Sequence, residues 1–402
     1  MIVAVALVVA LGVTIALTFG RFARSDTWRA TVTPLASIIG SGFLICGPLL
    51  AREFGSAALG AMAALLAIAY AAGAVIRFNI IHVENYLASA SFNDPVAWLA
   101  RVTQGVLALA YAVSVAYYLK LLAEFSLKPF AVAPAFQPLA ANTIVTVLIV
   151  LMTLLALGGS LRKVEHLAHG TVSLKIGIIA GLLAALALSW AISGSQTPLP
   201  PVRLSIASVP MLLGLLITVQ GFETSRYLGH AYPAMLRVRT MRHAQWISSA
   251  IYLAFIALLT PFLSRAAATQ GVAGILDIME LIAPALGLFV LVGAVASQLS
   301  AAVADSIGSG GLINEVSRRT ISVPLAFLLA GALATVIVWL TDPFEVVALS
   351  SRAFALFYAL QCALALIVAA RTGVGTLPQR IGFVAIGLVC LVAAAVGAPA
   401  EG

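Results

Sequence analysis

An all-α integral membrane protein of about twelve transmembrane helices is the fold class that three features of this sequence predict. Of its 402 residues, 62% are hydrophobic and only 9% are charged, whereas soluble domains carry about a quarter charged residues. Apolar stretches recur at close to the ~20 residues a helix needs to cross a bilayer, with connections too short for a soluble domain. Basic residues alternate from loop to loop. Arg21, Arg24, Arg29, Arg77, Arg101, Arg162, Lys163, Arg226, Arg237, Arg239, Arg242, Arg318, Arg319, Arg371 and Arg380 fall on one side. Only Arg52, Lys120, Lys128, Arg203 and Arg265 fall on the other. Correctly counted spans of a multi-pass plasma (inner) membrane protein produce this asymmetry, and it places both termini outside.

The first predicted span covers residues 1–20. Arginines follow it rather than precede it, and it lacks a small-residue cleavage site, so it reads as a retained helix and not a signal peptide. Spans follow near 31–51, 56–77, 96–124, 140–159 and 168–193. A second set covers 205–228, 244–264, 275–305, 321–340 and 344–370, and a last helix covers 378–398. The proline-rich connections 126–138 and 193–203 are expected to be irregular. The basic segment 230–246 is expected to lie as a helix along the membrane surface or to serve as an orientation anchor.

The net charge of +8 sits in loops between spans, where it sets orientation and carries no nucleic-acid meaning. Cys46, Cys362 and Cys390 fall inside spans and read as small packing residues, not as a disulfide framework. No cofactor is implied. The expected partners are a small-molecule substrate and the lipid bilayer.

Two spans are interrupted. Ile39-Gly40-Ser41-Gly42-Phe43, followed by Pro48, and Gln220-Gly221-Phe222-Glu223-Thr224 place glycine or proline inside membrane-length segments, where both weaken the helical ladder. Unwound backbone survives in lipid only where protein buries it or it lines a cavity, so each break implies a polar site. Setting aside 1–29 and 378–402, the blocks 31–193 and 205–371 are of nearly equal length. Each holds five spans and opens on a broken helix. An odd span count inverts the second block, which predicts a 5+5 inverted repeat with one extra helix at each end and a midplane site between the two breaks.

Several residues are candidates for that site. The outer half-helix after Gly42 offers its N-terminus to a carboxylate, a reading that Pro48 and the second break favour over glycines that only serve close helix packing. Glu223 is a costly intramembrane acid, either functional or paired with Arg226 near the span's end. Gln220 and Thr224 could bond a substrate and Phe222 could gate it. Lys175, inside its span, could supply the charge a cation otherwise brings, or snorkel to the headgroups. Ser297 and Ser300, one turn apart, outline a cation site or a packing pair. Asp305 reads as a proton group or as a partner for Arg318 or Arg319 at the span's end. Arg352, beside Ser350 and Ser351, could form an outer gate with Asp277 or Glu280, or simply a structural pair.

Ile39-Gly40-Ser41-Gly42-Phe43 with Pro48 resembles the first-helix motif of the amino acid, polyamine and organocation (APC) transporter superfamily. Gln220-Gly221-Phe222-Glu223 resembles its sixth-helix motif. Lys175 falls where proton-coupled and sodium-independent members keep a lysine in place of a sodium ion. The resemblance implies a LeuT-like five-plus-five fold, with backbone at Ile39–Gly42 and Gly221–Glu223 contacting an amino-acid-like substrate. It also implies Lys175 organising the first helix and relaying protons, with Glu223 as a second proton-coupling candidate. The leading helix, and Tyr227-Leu228-Gly229-His230 in place of the usual acidic run, depart from the pattern. The expected function is secondary active transport of an amino acid or small amine, proton-coupled or by exchange. A sodium-coupled symporter using Ser297 and Ser300 is the alternative within the class. A polytopic membrane enzyme is the alternative outside it, but no His-Glu-x-x-His motif or histidine cluster appears, and His166 and His169 have only Glu165 beside them. A channel lacks a filter motif.

Overall fold

The computed structural model describes the chain apart from residues 41, 92, 131, 159–160, 195–198, 230, 270 and 400–402, and apart from the side chains of 22, 161–171 and 193. The described residues are helical, with no strand. In chain order the helices are α1 (Ile2–Phe19), α2 (Asp26–Ile38), α3 (Gly42–Phe54), α4 (Ala58–Phe78), α5 (Glu84–Ser89), α6 (Pro95–Leu127), α7 (Gln137–Leu157) and α8 (Leu161–Ser193). They continue with α9 (Val209–Gly214), α10 (Ala234–Leu259), α11 (Leu263–Ala268), α12 (Ile275–Ile282), α13 (Pro284–Val316), α14 (Val323–Leu340), α15 (Pro343–Thr372) and α16 (Leu377–Val396).

Local sequence explains where many of these helices begin. The starts of α6, α14, α15 and α16 pair a capping Asp, Ser or Thr with proline in the first turn: Asp94, Ser322, Asp342 and Thr376 each accept a hydrogen bond from a first-turn amide. Proline costs nothing there because its missing N–H would have had no partner. Asp342 and Thr376 complete capping boxes with Glu345 and Gln379. At its other end α15 stops on Gly373 at φ 71°.

Ten helical stretches among the described residues are long and apolar enough to cross a membrane, against about twelve expected. α3 runs through a short 3-10 turn into α4 and is counted with it, while α2 and the segment 206–228 are too short as unbroken helices. The interruptions themselves remove them from such a count.

Helix α6 packs against both α13 and α15. α1 lies antiparallel along α8: Ala6 meets Gly181, Ala10 meets Gly177, and the Thr14 hydroxyl lies 3.5 Å from the Ser173 carbonyl. Small residues allow this close approach, as is usual between membrane helices. The other faces of α1 expose Val8, Leu11, Ile15 and Phe19, as expected of a helix facing lipid tails.

Four expectations need correction. The basic segment 230–246 is not a separate surface helix. His230 lies outside the described residues, and from Ala234 the chain is the first half of the spanning helix α10, because the amphipathic stretch continues without a breaker into apolar sequence. The span expected at 275–305 is two helices, α12 and α13, divided where Ala283 turns extended before Pro284. Lys120 is not a loop residue but is buried within α6. Its ammonium donates to Asn142 Oδ1 (2.6 Å) and to the Val338 and Thr341 carbonyls (2.9 and 3.0 Å) at the end of α14. Arg352 does not pair with Asp277 or Glu280: it donates to the Ala394 and Ala395 carbonyls, and Asp277 pairs with Lys128 at 2.9 Å.

Candidate functional site

The site is built where the two interrupted segments cross. Helix α2 ends at Ile38, Ile39 leaves helical geometry at φ −86° and ψ 67°, and α3 restarts at Gly42. In the second segment α9 gives way to a 3-10 turn at Leu216–Val219. Gln220 is extended, Gly221 is left-handed at φ 118°, and a second 3-10 stretch runs Phe222–Leu228. A Cβ on Gly221 would lie 2.6 Å from the Ser37 carbonyl carbon, and one on Gly42 would lie 3.2 Å from Thr218 Cβ. Glycine is therefore required at 221 twice over, for its backbone angle and for backbone-to-backbone contact with the first break.

Breaking two helices frees backbone groups that must find partners in an apolar interior. Named side chains supply them. Lys175 Nζ, on α8, donates to the Ala36 carbonyl in the last turn of α2 at 2.7 Å. The Tyr252 hydroxyl, on α10, reaches the Ile38 carbonyl at 3.1 Å and the Thr218 carbonyl, so one phenol touches both breaks. On α15, Ser351 accepts from the Ile217 amide at 2.9 Å and donates to the Gly214 carbonyl at 2.6 Å. Thr218 donates to the Leu215 carbonyl and accepts from the Cys46 thiol at 3.3 Å.

Each expected site residue has a definite place. Ile39, Gly40, Gly42 and Phe43 are buried at the first break. Gly40 lies against the Tyr118 ring, and Phe43 packs edge-on to Phe255 at 5.0 Å. Ser41 lies outside the described residues. Gln220 is buried with its Oε1 unpartnered, and Phe222 stacks on Tyr358 at 5.1 Å and 17°. Glu223 is fully buried. Its Oε2 accepts from the Gly221 amide (3.0 Å) and the Tyr358 hydroxyl (2.8 Å), while Oε1 has no hydrogen-bond partner. The pairing with Arg226 weighed from the sequence is not formed, because the Arg226 guanidinium bonds Gln361 instead.

Lys175 and Ser297 line one cavity of about 20 Å³ with Phe43 and Leu44, room for a single water. Ser297 Oγ has no partner, whereas Ser300 donates within its own helix to the Ser297 carbonyl at 2.9 Å. The two hydroxyls thus do not converge, and only Ser297 faces the cavity. Asp305 is not at a helix mouth. It is buried in α13 and accepts from the Ser114 hydroxyl. Arg318 lies thirteen residues further on, about 20 Å along a helix. Among the described residues no three His, Cys, Asp or Glu side chains are gathered so as to hold a metal ion. The side chains of Glu165, His166 and His169 lie outside them.

Several tyrosines at the site were not among the expected site residues. Tyr117 and Tyr118 pack against the first break, and Tyr111 lies beside both Glu223 and Asp305. Three of the chain's nine tyrosines fall between 111 and 118, a polar cluster inside an apolar span that was a usable signal. Tyr252 and Tyr358 had no comparable signal, since they reach the breaks from α10 and α15 and stand in no polar cluster of the sequence.

A family model described as APC superfamily transporter matches residues 20–397. The chain belongs to the APC superfamily of transporters. This APC transporter is 36% identical over 358 residues to a protein of Aquifex aeolicus (strain VF5) described only as uncharacterized, across 86% of the chain and 85% of that relative. The solved structure of a Na+-coupled sialic acid symporter, substrate-bound and outward-open, is similar over 100% of the chain and 97% of its own length. Its identity is 16% and its TM-score 0.46, too low for its substrate or ion to bear on this APC transporter. The chain is a multi-pass membrane protein and a secondary transporter.

Proposed function

We propose that the protein carries an amino acid or related small amine across the plasma membrane by alternating access, without sodium, by proton coupling or exchange. The observation that supports this best is the 2.7 Å bond from Lys175 Nζ to the Ala36 carbonyl. Carbonyls at the end of a broken membrane helix are the groups that coordinate sodium in transporters. Here one of them already holds a covalently tethered cation. The free amides at the start of α3 suit a substrate carboxylate, since a helix N-terminus attracts anions. The unpartnered oxygens of Gln220 and Glu223 suit its ammonium. The same reading takes 31–193 and 205–371 as inverted repeats making twelve spans with both termini outside, and a bundle carrying both breaks rocks against the remaining helices.

A second reading keeps sodium, because the unpartnered Ser297 hydroxyl shares the Lys175 cavity. Uptake into proteoliposomes of an amino acid or amine first found by thermal-shift screening separates the two. Sodium-independent uptake that Lys175→Ala abolishes and Ser297→Ala spares is expected. Uptake that needs sodium and fails in Ser297→Ala selects the second reading. A protein that no amino acid or amine stabilises, but that another solute class does, overturns the substrate class.

A further inference from the structure

The arginine-rich face carries a cluster of basic and aromatic side chains away from the two breaks. On α10, Arg239, Arg242 and Trp246 lie on one exposed face at three- and four-residue spacing, with Trp246 61% exposed. Across the groove between the two packed helices, α4 presents exposed Ala67 and Ala74 with their short side chains, and Tyr70, whose ring is 5.5 Å from that of Trp246. Behind them Arg77 is buried, with its guanidinium 4.8 Å from the Tyr70 ring centre and bonded to the neutral Gln245 side chain. Arg77 and Arg242 are electrostatic neighbours of like charge, and no ion pair among the described residues involves Arg77, Arg239 or Arg242.

Loop arginines that only set orientation need no such arrangement. A buried guanidinium is costly, and a second one beside it without a carboxylate is costlier still. An anion in the groove would offset both. The depth fits a lipid: Arg242 lies one helical turn, about 6 Å, from Trp246, and indole rings favour the boundary between headgroups and acyl chains. Basic pockets between membrane helices on the positively charged side take anionic headgroups in this way.

We propose that the α4–α10 groove holds the headgroup phosphate of an anionic phospholipid, gripped by Arg239 and Arg242 with Arg77 behind, while its acyl chain runs down between Trp246 and the α4 alanines. The test is native mass spectrometry of the full chain released from detergent containing equal amounts of phosphatidylglycerol and phosphatidylcholine. The wild type retains phosphatidylglycerol selectively. Retention falls about fivefold for each arginine removed in R239Q and R242Q, and W246A, which removes no charge, also lowers it. R21Q/R24Q, which loses two exposed charges on the same face, leaves retention unchanged. An equal loss in R21Q/R24Q would reduce the effect to general surface potential and overturn the site. Displacement of the lipid by millimolar inorganic phosphate would make it a soluble-anion site, and the absence of any phosphatidylglycerol preference in the wild type would remove it altogether.

Discussion

Glu223 shows how one side chain can be half committed. Its Oε2 serves as a local brace, taking the Gly221 amide and the Tyr358 hydroxyl, while Oε1 remains free in a fully buried position. Glutamine can accept the same two bonds through its carbonyl oxygen but brings no charge. Glu223→Gln is therefore expected to keep the thermal unfolding midpoint close to wild type and to raise the KM for an amine-bearing substrate about tenfold or more. That is the scale of one hydrogen bond to a charged group. Uptake assays on reconstituted protein check it, and a falling midpoint with unchanged KM would assign Glu223 to the brace alone.

At the scale of the element, the two broken segments exist because other helices satisfy what they leave open. Gly221 is the contact point. Alanine there would face φ 118° and the Ser37 backbone together, so Gly221→Ala is expected to cost about 1–3 kcal/mol and to abolish transport by parting the two breaks. Thermal unfolding together with uptake measures both effects. Lys120 plays the corresponding part for α14, whose last carbonyls it caps from the neighbouring helix. Lys120→Met leaves those carbonyls and Asn142 without a donor but also removes a buried charge. A net loss of about 2 kcal/mol is expected, seen as a lower unfolding midpoint in detergent.

Across the described residues, two ion pairs tie the arginine-rich face and one ties the opposite face. Arg237 grips both Glu84 carboxylate oxygens (2.6 and 2.9 Å) and the Arg226 carbonyl, so that α5, α10 and the second broken segment are joined. Arg371 bonds Asp94 and Tyr86, which joins α15 to the start of α6. On the other face the ion pair among the described residues is the half-exposed Lys128–Asp277. The Asp94 carboxyl, in the loop before α6, is held below the usual carboxylate range by the Val96 amide first, then by the Tyr86 hydroxyl, with Arg371 adding to the effect. A carboxyl so lowered contributes stability that is present above its unfolded value, near pH 4, and is lost as pH falls through the folded value. Unfolding midpoints measured from pH 7 down to pH 3 are expected to fall more steeply for the wild type than for Asp94→Asn in that low range.

Much of this was legible in the sequence because the bilayer imposes simple rules. Lengths near 20 apolar residues located most of the long helices, and the glycines at 40, 42 and 221 located both interruptions, since each reports a local constraint on backbone or transfer into lipid. Lys175 and Glu223 stood out for the same reason: charge inside a span is expensive wherever it points. The partners of those groups were not legible. That Lys175 reaches Ala36, that Tyr252 touches both breaks, that Asp305 meets Ser114 and not an arginine, and that Lys120 caps a helix two hundred residues away are contacts between distant segments. Apolar sequence is equally content against lipid or against another helix. The sequence by itself determined that the chain is built of long apolar helices and where two segments fail. Only the tertiary structure decided what meets at the failures, because that depends on which face each helix turns inward.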